Sequence, residues 1–117
     1  MPADTEQEQL NSTFRFTGFH TPHYTQVPDQ LFDELLPLLS GAEMKALLYI
    51  CRRTFGFKKD SDNISINQML NGIRRKDGTQ LDRGAGLSKP TLLRALKGLK
   101  AKRIIVVERR QNADEGN

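Results

Sequence analysis

The sequence has a single cysteine and no apolar run that approaches the roughly 18 residues needed to cross a bilayer. Its N-terminus is acidic and polar, so it lacks the charged and then apolar order of a signal peptide. Cys51 alone supplies neither an internal disulfide nor a metal cluster. These absences argue against a disulfide-stapled or membrane-spanning protein, and we expect a cytoplasmic or nucleoid-associated location.

Groups of residues typical of an enzyme are also lacking. The sequence shows no paired carboxylates in a plausible pocket, no activated nucleophile and no metal-ligand set, so we expect no catalysis and no cofactor. His20 and His23 have no third ligand nearby, which favours an ordinary surface role over a metal site. Cys51 falls among apolar residues at helical spacing, which favours a buried core thiol over a nucleophile.

The charge is distributed very unevenly. The chain has 117 residues, 37% of them apolar, which suffices for one small core, and its net charge is +4. Residues 1–43 contain seven acids and one base, residues 44–110 contain seventeen bases and five acids, and residues 111–117 contain two acids. Such a basic central segment favours a polyanionic partner. Nucleic acid is favoured over membrane, because no stretch pairs the bases with a large exposed aromatic face.

The N-terminal region divides into a tail, an arm and a short helix. Residues 1–13 are polar and without periodicity, which predicts a disordered tail. The following extended segment is expected to pack across the domain surface as an arm. After Pro28, apolar residues at helical spacing predict a short amphipathic helix, broken at Pro37. The aromatic residues of the arm are Phe14, Phe16, Phe19 and Tyr24.

Two further helices have capping signals at their starts. Ser40 and Glu43 stand in capping-box spacing before an apolar stripe, and Gly56 is expected to stop that helix. Ser65 and Gln68 repeat the signal before a second, shorter helix. A very short strand is expected over residues 63–65. The glycine-containing segment 72–86 is expected to be a mobile loop.

A third helix is predicted within "GAGLSKPTLLRALKGLKAKR". Ser88 is a suitable N-cap, and Pro90 is tolerated in the first turn. The apolar residues Leu92, Ala95, Leu96 and Leu99 fall on one side, whereas Pro90, Arg94, Lys97 and Ala101 fall on the other. A β-rich run over residues 104–110 and a turn-like end follow.

This order of elements predicts a winged helix-turn-helix, a mainly α fold with a small β-wing. Its three-helix core, with the arm and the short extra helix, would span residues 14–110, and residues 111–117 would be a wing tip or tail. A phosphate-binding loop is excluded, because it needs a preceding strand and Gly-Lys-Ser/Thr, whereas Pro90 follows Lys89 here. A dinucleotide fingerprint likewise lacks its third glycine.

The segments "QVPDQLFDELLPLLSGAEMKALLYICRRTFGFKKDSDNIS" and "DRGAGLSKPTLLRALKGL" resemble the N-terminal domain of the bacteriophage replication protein O family. The resemblance covers about Phe16 to Glu108, and its most specific part is Leu47 to Ser65. It implies binding to origin DNA, while a separate C-terminal region engages the replicative helicase or its loader. That region is absent here, so we expect a fragment or a shortened relative, with a wing cut short after Asn112.

Charge and geometry then select candidate DNA contacts. Arg94 is the best base reader, because its guanidinium can bond guanine bidentately, and Thr91 can touch a phosphate or a thymine methyl. Lys100, Lys102 and Arg103 are expected to hold the DNA backbone. Arg52 and Arg53 stay open between DNA and pairing with Asp29, Asp33 or Glu34. The predicted DNA-binding residues are Lys89, Pro90, Thr91, Arg94, Lys97, Lys100, Lys58, Lys59, Arg109 and Arg110.

Three functions remain open from the sequence. They are binding to a replication origin, transcriptional regulation by the same module, and a winged helix that binds a protein partner. The family resemblance favours the first over the second, and the basic third helix disfavours the last. The basic excess of segment 72–86 suggests that it orders on DNA, with a disordered insertion as the alternative. No heptad or additional apolar helix indicates a dimer, so a monomer is expected in isolation.

Overall fold

The computed structural model describes residues 14–20, 23–57 and 62–108, which form helices and one small antiparallel sheet. The expected mainly helical fold with a small β component is therefore confirmed. In chain order the elements are a π-helical turn Leu31–Leu35, α1 Gly41–Thr54, a 3₁₀ turn Phe55–Phe57, α2 Ile66–Asn71, β1 Ile73–Arg74, β2 Gln80–Asp82 and α3 Lys89–Ala101.

All three α-helices begin at the predicted serine caps. Ser40 accepts a hydrogen bond from the Glu43 N–H at 3.1 Å, and its own N–H donates to the Glu43 carboxylate at 2.9 Å. Ser65 and Gln68 form the same reciprocal pair at 3.0 and 3.1 Å. Ser88 caps α3, with proline in the first turn. Each box satisfies backbone groups that have no partner inside the helix, which fixes where the helix starts.

The core lies between α1 and α3. Leu92 and Leu99 of α3 are fully buried, and Ala46 of α1 is equally inaccessible. The buried residues of α3, Leu92, Ala95 and Leu99, recur every three or four positions, so this helix presents one apolar face to α1. Cys51 is also buried in this core, as expected, and burial raises the pKa of its thiol. The apolar stripe predicted for α3 is therefore confirmed. On α1 the sequence predicts a stripe of Met44, Leu47, Leu48, Cys51 and Phe55, but Leu48 and Phe55 are exposed.

An ion pair joins the N-terminal end of α1 to the C-terminal end of α3. The Lys102 ammonium donates to the Glu43 carboxylate at 2.8 Å. Gly98 permits this approach, because a Cβ atom there would overlap the carboxylate. The hydrogen bond from Lys102, followed by the one from the Ser40 N–H, lowers the pKa of Glu43 below its usual range. Glu43 thus combines a helix cap with a contact between helices.

The stability contributed by the Glu43 charge is expected to depend on pH. Because the folded-state pKa of Glu43 is lowered, this contribution is present above the unfolded-state pKa, near 4.5. It is lost as the pH falls through the lower, folded-state value. Glu43→Gln should therefore lower the thermal midpoint at pH 7, and the gap to the unaltered protein should close in acid. A gap that stays constant from pH 7 to pH 3 would contradict the ion pair.

The N-terminal elements differ from their expected form. The predicted amphipathic helix is a short π-helical turn, in which the Leu36 N–H donates to the Leu31 carbonyl at 2.8 Å, and it ends before Pro37. Leu31 is buried, but Phe32 is 52% exposed. The arm does not pack its aromatics as expected, because Phe19 is 94% exposed. Within the arm, Phe16 and Phe19 form an edge-to-face pair. The Arg83 guanidinium lies 6.0 Å from the centre of the Phe14 ring.

The sheet is not where the sequence placed it. Segment 72–86 was predicted to be a mobile loop, yet it contains β1 and β2, joined as a hairpin between α2 and α3. The residues expected to form strands near Ser65 and after α3 do not do so over 63–65 and 104–108, the parts of those segments that the structure describes. Ile104 and Ile105 instead pack on the core. The hairpin is thus an insertion before α3, and not a wing after it.

One helix end also differs from its prediction. Gly56 is expected from the sequence to stop α1, but the α-helix ends at Thr54 and the chain continues through Gly56 in a 3₁₀ turn, Phe55–Phe57. Phe55 itself has helical dihedral angles, and its N–H donates to the Cys51 carbonyl. The absence of a side chain at Gly56 still matters, because a Cβ atom there would meet Thr25 and Arg52. Gly56 therefore serves a close approach of the N-terminal segment and not a change of backbone handedness.

Candidate nucleic-acid interface

The solvent-facing side of α3 carries a row of bases. Arg94 and Lys97 lie opposite the buried Leu92, Ala95 and Leu99, as helical spacing requires. No acidic residue occurs within α3. Among the predicted contact residues of this helix, Thr91 is half-buried. The others are exposed; they are Lys89, Pro90, Arg94, Lys97 and Lys100. The structure thus brings six of the ten predicted residues onto one helix, and their contact with DNA stays a prediction.

Arg94 is held by a short chain of hydrogen bonds at the start of α3. The Ser88 hydroxyl donates to Thr91 Oγ1 at 3.0 Å, and Arg94 Nη2 donates to the same oxygen at 3.4 Å. The residue that caps the helix is therefore linked through Thr91 to the guanidinium. Such support orients a planar group that bonds bidentately, which reduces the rotamer freedom lost when it binds.

The other predicted bases have different positions. Lys102 was expected to hold the DNA backbone, but its ammonium pairs with Glu43, so the structure gives it a role in packing. Arg103 adopts a left-handed backbone conformation with φ of 62° at the end of α3. Four more predicted contacts lie outside the described residues and stay predictions; they are Lys58, Lys59, Arg109 and Arg110.

The tip of the hairpin is closed by hydrogen bonds around an Asp-Gly step. The Arg75 N–H donates to the Thr79 carbonyl at 2.7 Å, and the Gly78 N–H donates to the Arg75 carbonyl at 2.9 Å. Asp77 Oδ1 accepts from the Thr79 N–H at 2.9 Å and from its hydroxyl at 2.6 Å, and these bonds lower the pKa of Asp77. An Asp-Gly pair is a strong hairpin signal, and it could have revealed this element from the sequence.

The base of the hairpin is anchored to α1 through Asp82. Its carboxylate lies 3.2 Å from the buried Tyr49 hydroxyl and accepts the Gly84 N–H at 2.9 Å. Burial, followed by the charge of Asp82, raises the pKa of Tyr49 to about 12, so this hydroxyl stays a donor. Arg53 Nε lies 3.8 Å from Asp82 Oδ2. The anchor therefore joins a strand end to two residues one helical turn apart on α1.

The same anchor gives Arg53 a contact that the sequence did not suggest. Its side chain is buried, and its Nε lies 3.8 Å from the carboxylate of Asp82 in the hairpin. Because Arg53 is only 5% exposed, it is not available to DNA. The neighbouring Arg52 is exposed and lies beside Gly56. No sequence signal indicated this pairing, because Asp82 lay in a segment predicted to be mobile.

Two glycines allow close backbone contacts where the hairpin begins and ends. Gly72 follows α2 with φ of 83°, and a Cβ atom there would overlap the Asp82 carbonyl. Gly84 has φ of 84°, and its Cβ would lie 2.8 Å from the Met69 carbonyl oxygen. The Ala85 N–H then donates to that same Met69 carbonyl at 2.7 Å. The hairpin is thus fitted tightly to the end of α2.

Within residues 14–20, 23–57 and 62–108, no group of three or more His, Cys, Asp or Glu side chains could hold a metal ion. His20 Nε2 lies 2.7 Å from the Thr17 hydroxyl. In the same part of the chain, no helix has the length and apolar character needed to span a bilayer.

These features define a class: a small, mainly helical domain with a two-stranded sheet and a basic exposed helix, compatible with a helix-turn-helix protein. The family model described as bacteriophage replication protein O matches residues 21–115, and the chain belongs to this family. The resemblance noted from the sequence is confirmed. Comparisons with curated proteins and with solved structures gave no match. Family membership implies a role in phage replication.

Proposed function

We propose that this protein binds double-stranded DNA sequence-specifically by placing α3 in the major groove at a phage or prophage replication origin. The observation that carries the proposal is the exposed basic face of α3, opposite the apolar face that packs on α1. In a helix-turn-helix the second helix of the pair enters the groove with its N-terminal residues nearest the bases. Lys89, Thr91 and Arg94 occupy the first two turns of α3.

The electrostatic character of the domain supports the same partner. The segment 44–110 has seventeen bases against five acids, and such a charge favours nonspecific attraction to phosphates before any base is read. Family membership supports replication as the process, and it favours initiation at an origin over transcriptional regulation. A transcriptional regulator of the same architecture is the second candidate, because the fold alone does not distinguish the two.

The proposal has four further parts. The protein acts by binding and carries out no catalysis of its own. It works in the cytoplasm of the bacterial host and is a monomer in isolation. Assembly with the replicative helicase or its loader uses a separate region of a longer replication protein. Each part follows from the family or the sequence and requires its own test; sedimentation of the free protein, for example, addresses the monomer.

Selection of bound duplexes from a random pool tests the proposal directly. We expect one consensus, whose occurrence as repeats within an origin would support replication and whose occurrence at promoters would support regulation. Binding should weaken steeply with salt, by about 0.9 log units in affinity per log unit of salt for each neutralised phosphate. A protein that binds no duplex in this way would contradict DNA binding and favour a protein partner.

Two substitutions on α3 should have different effects. Arg94→Ala should cost about 1–3 kcal/mol in binding free energy and relax the preference at one base pair, because a bidentate base contact is lost. Lys100→Ala, near the other end of the helix, should weaken all duplexes alike and reduce the salt slope by about one unit. Fluorescence anisotropy with the consensus and single-base variants measures both. Identical behaviour of the two variants on every duplex would show that α3 is not the reading helix.

A further inference from the structure

We infer that the hairpin between α2 and α3 is a second DNA contact, in which Arg75 and Lys76 at its tip bind backbone phosphates without reading sequence. This inference rests on the proposed function and names a further part of the same interface. The sequence suggested a mobile segment that orders on DNA. The structure shows a formed hairpin, so the contact requires no folding of this segment on binding.

The charge of the hairpin suits phosphate. Arg74, Arg75 and Lys76 are consecutive and exposed, and the acid that follows, Asp77, is engaged by both the N–H and the hydroxyl of Thr79. Arg74 Nη1 donates to the Gly78 carbonyl at 2.9 Å, so this guanidinium holds the turn together. The two remaining bases, Arg75 and Lys76, are therefore the candidates for contact with DNA.

The hairpin is held by hydrogen bonds at both ends. At the tip, the main-chain bonds between Arg75 and Thr79 close the turn. At the base, Asp82 is bonded to Gly84 and lies against the Tyr49 hydroxyl of α1. A formed loop loses less conformational entropy on binding than a mobile one, so its charges contribute more of their attraction to affinity.

A short stretch of chain joins the base of the hairpin to the start of α3, the proposed reading helix. Its base follows α2 directly at Gly72, and the chain runs from Asp82 to the cap of α3 at Ser88 in six residues. Along that short path Ala85 is bonded to Met69 of α2, and the Gly86 carbonyl accepts from Lys45 of α1 at 3.4 Å. Because the N-terminal turns of a reading helix lie in the groove, a basic hairpin joined this closely to them is near the flanking phosphates.

Removal of the two tip charges tests the inference in the full chain. The variant Arg75→Gln with Lys76→Gln should bind every duplex more weakly, with unchanged base preference and a salt slope smaller by about 1.8 units, since each phosphate contact contributes about 0.9. When salt rises from 50 to 200 mM, the fold-loss of affinity should therefore be about ten times smaller for this variant than for the unaltered protein. The matched control is Arg75→Lys with Lys76→Arg, which keeps both charges and should keep the slope.

The outcomes separate the hairpin from the proposed function. If the unaltered protein binds duplexes in a salt-dependent way and the double Gln variant has the same salt slope, the hairpin contact alone is overturned. A change of preference at one base pair would show that the tip reads sequence and would also overturn the inference. Absence of duplex binding by the unaltered protein would refute the proposed function itself. Circular dichroism of both double variants checks that the fold is retained.

Discussion

Asp82→Ala is expected to destabilise the domain by about 3 kcal/mol, a large share of the stability of a small domain. The carboxylate faces the Tyr49 hydroxyl, the Gly84 N–H and the buried Arg53 at the foot of the hairpin. Its removal would leave a buried guanidinium without this counter-charge, which is the costly way to break such a pair. Chemical denaturation with fitted midpoints and slopes measures the loss.

Asp82→Asn is the matched control for the Asp82 substitution. It keeps an oxygen that can accept the Gly84 N–H but removes the charge that faces Arg53. We therefore expect a smaller loss than for alanine, and Tyr49→Phe, which deletes one hydroxyl, should cost only about 1 kcal/mol. Hydrogen exchange should show the hairpin amides opening first in Asp82→Ala. If all three variants were as stable as the unaltered protein, the contacts of Asp82 would not hold the hairpin.

Leu92→Ala is expected to cost about 2–5 kcal/mol in unfolding free energy, because it removes a fully buried side chain and leaves a cavity between α1 and α3. In a domain of this size each kcal/mol lowers the thermal midpoint by about 4–8 °C. Thermal unfolding followed by circular dichroism measures the shift. DNA binding at low temperature should survive in the fraction that stays folded, since Leu92 faces away from the basic side of α3.

The adjacent residue supplies the control for that experiment. Leu93 has the same side chain on the same helix but is 45% exposed. Leu93→Ala should therefore change the unfolding free energy by no more than about 1 kcal/mol, without a cavity. If Leu92→Ala and Leu93→Ala destabilised the domain equally, the assigned inner face of α3 would be wrong, and the basic face would have to be reassigned with it.

The starts of the α-helices and the buried face of α3 followed from the sequence alone. The caps at Ser40, Ser65 and Ser88 were predicted correctly, because each depends on a partner three residues further along the same chain. The buried face of α3 was predicted correctly because apolar residues recur with the period of the helix. The row of bases on its exposed face is the geometric complement of that pattern. The elements that position the candidate site are therefore local properties of the chain.

The sheet and the ion pairs were decided by the tertiary structure. Asp82 meets Tyr49 across 33 residues of chain, and Glu43 meets Lys102 across 59. Neither spacing has a local signature, so the sequence alone predicts a loop over residues 72–86 and a DNA contact for Lys102. Strands of two and three residues also have too few positions to show alternation. Periodicity and capping are properties of a single helix, whereas these contacts exist only after α1, the hairpin and α3 have been brought together.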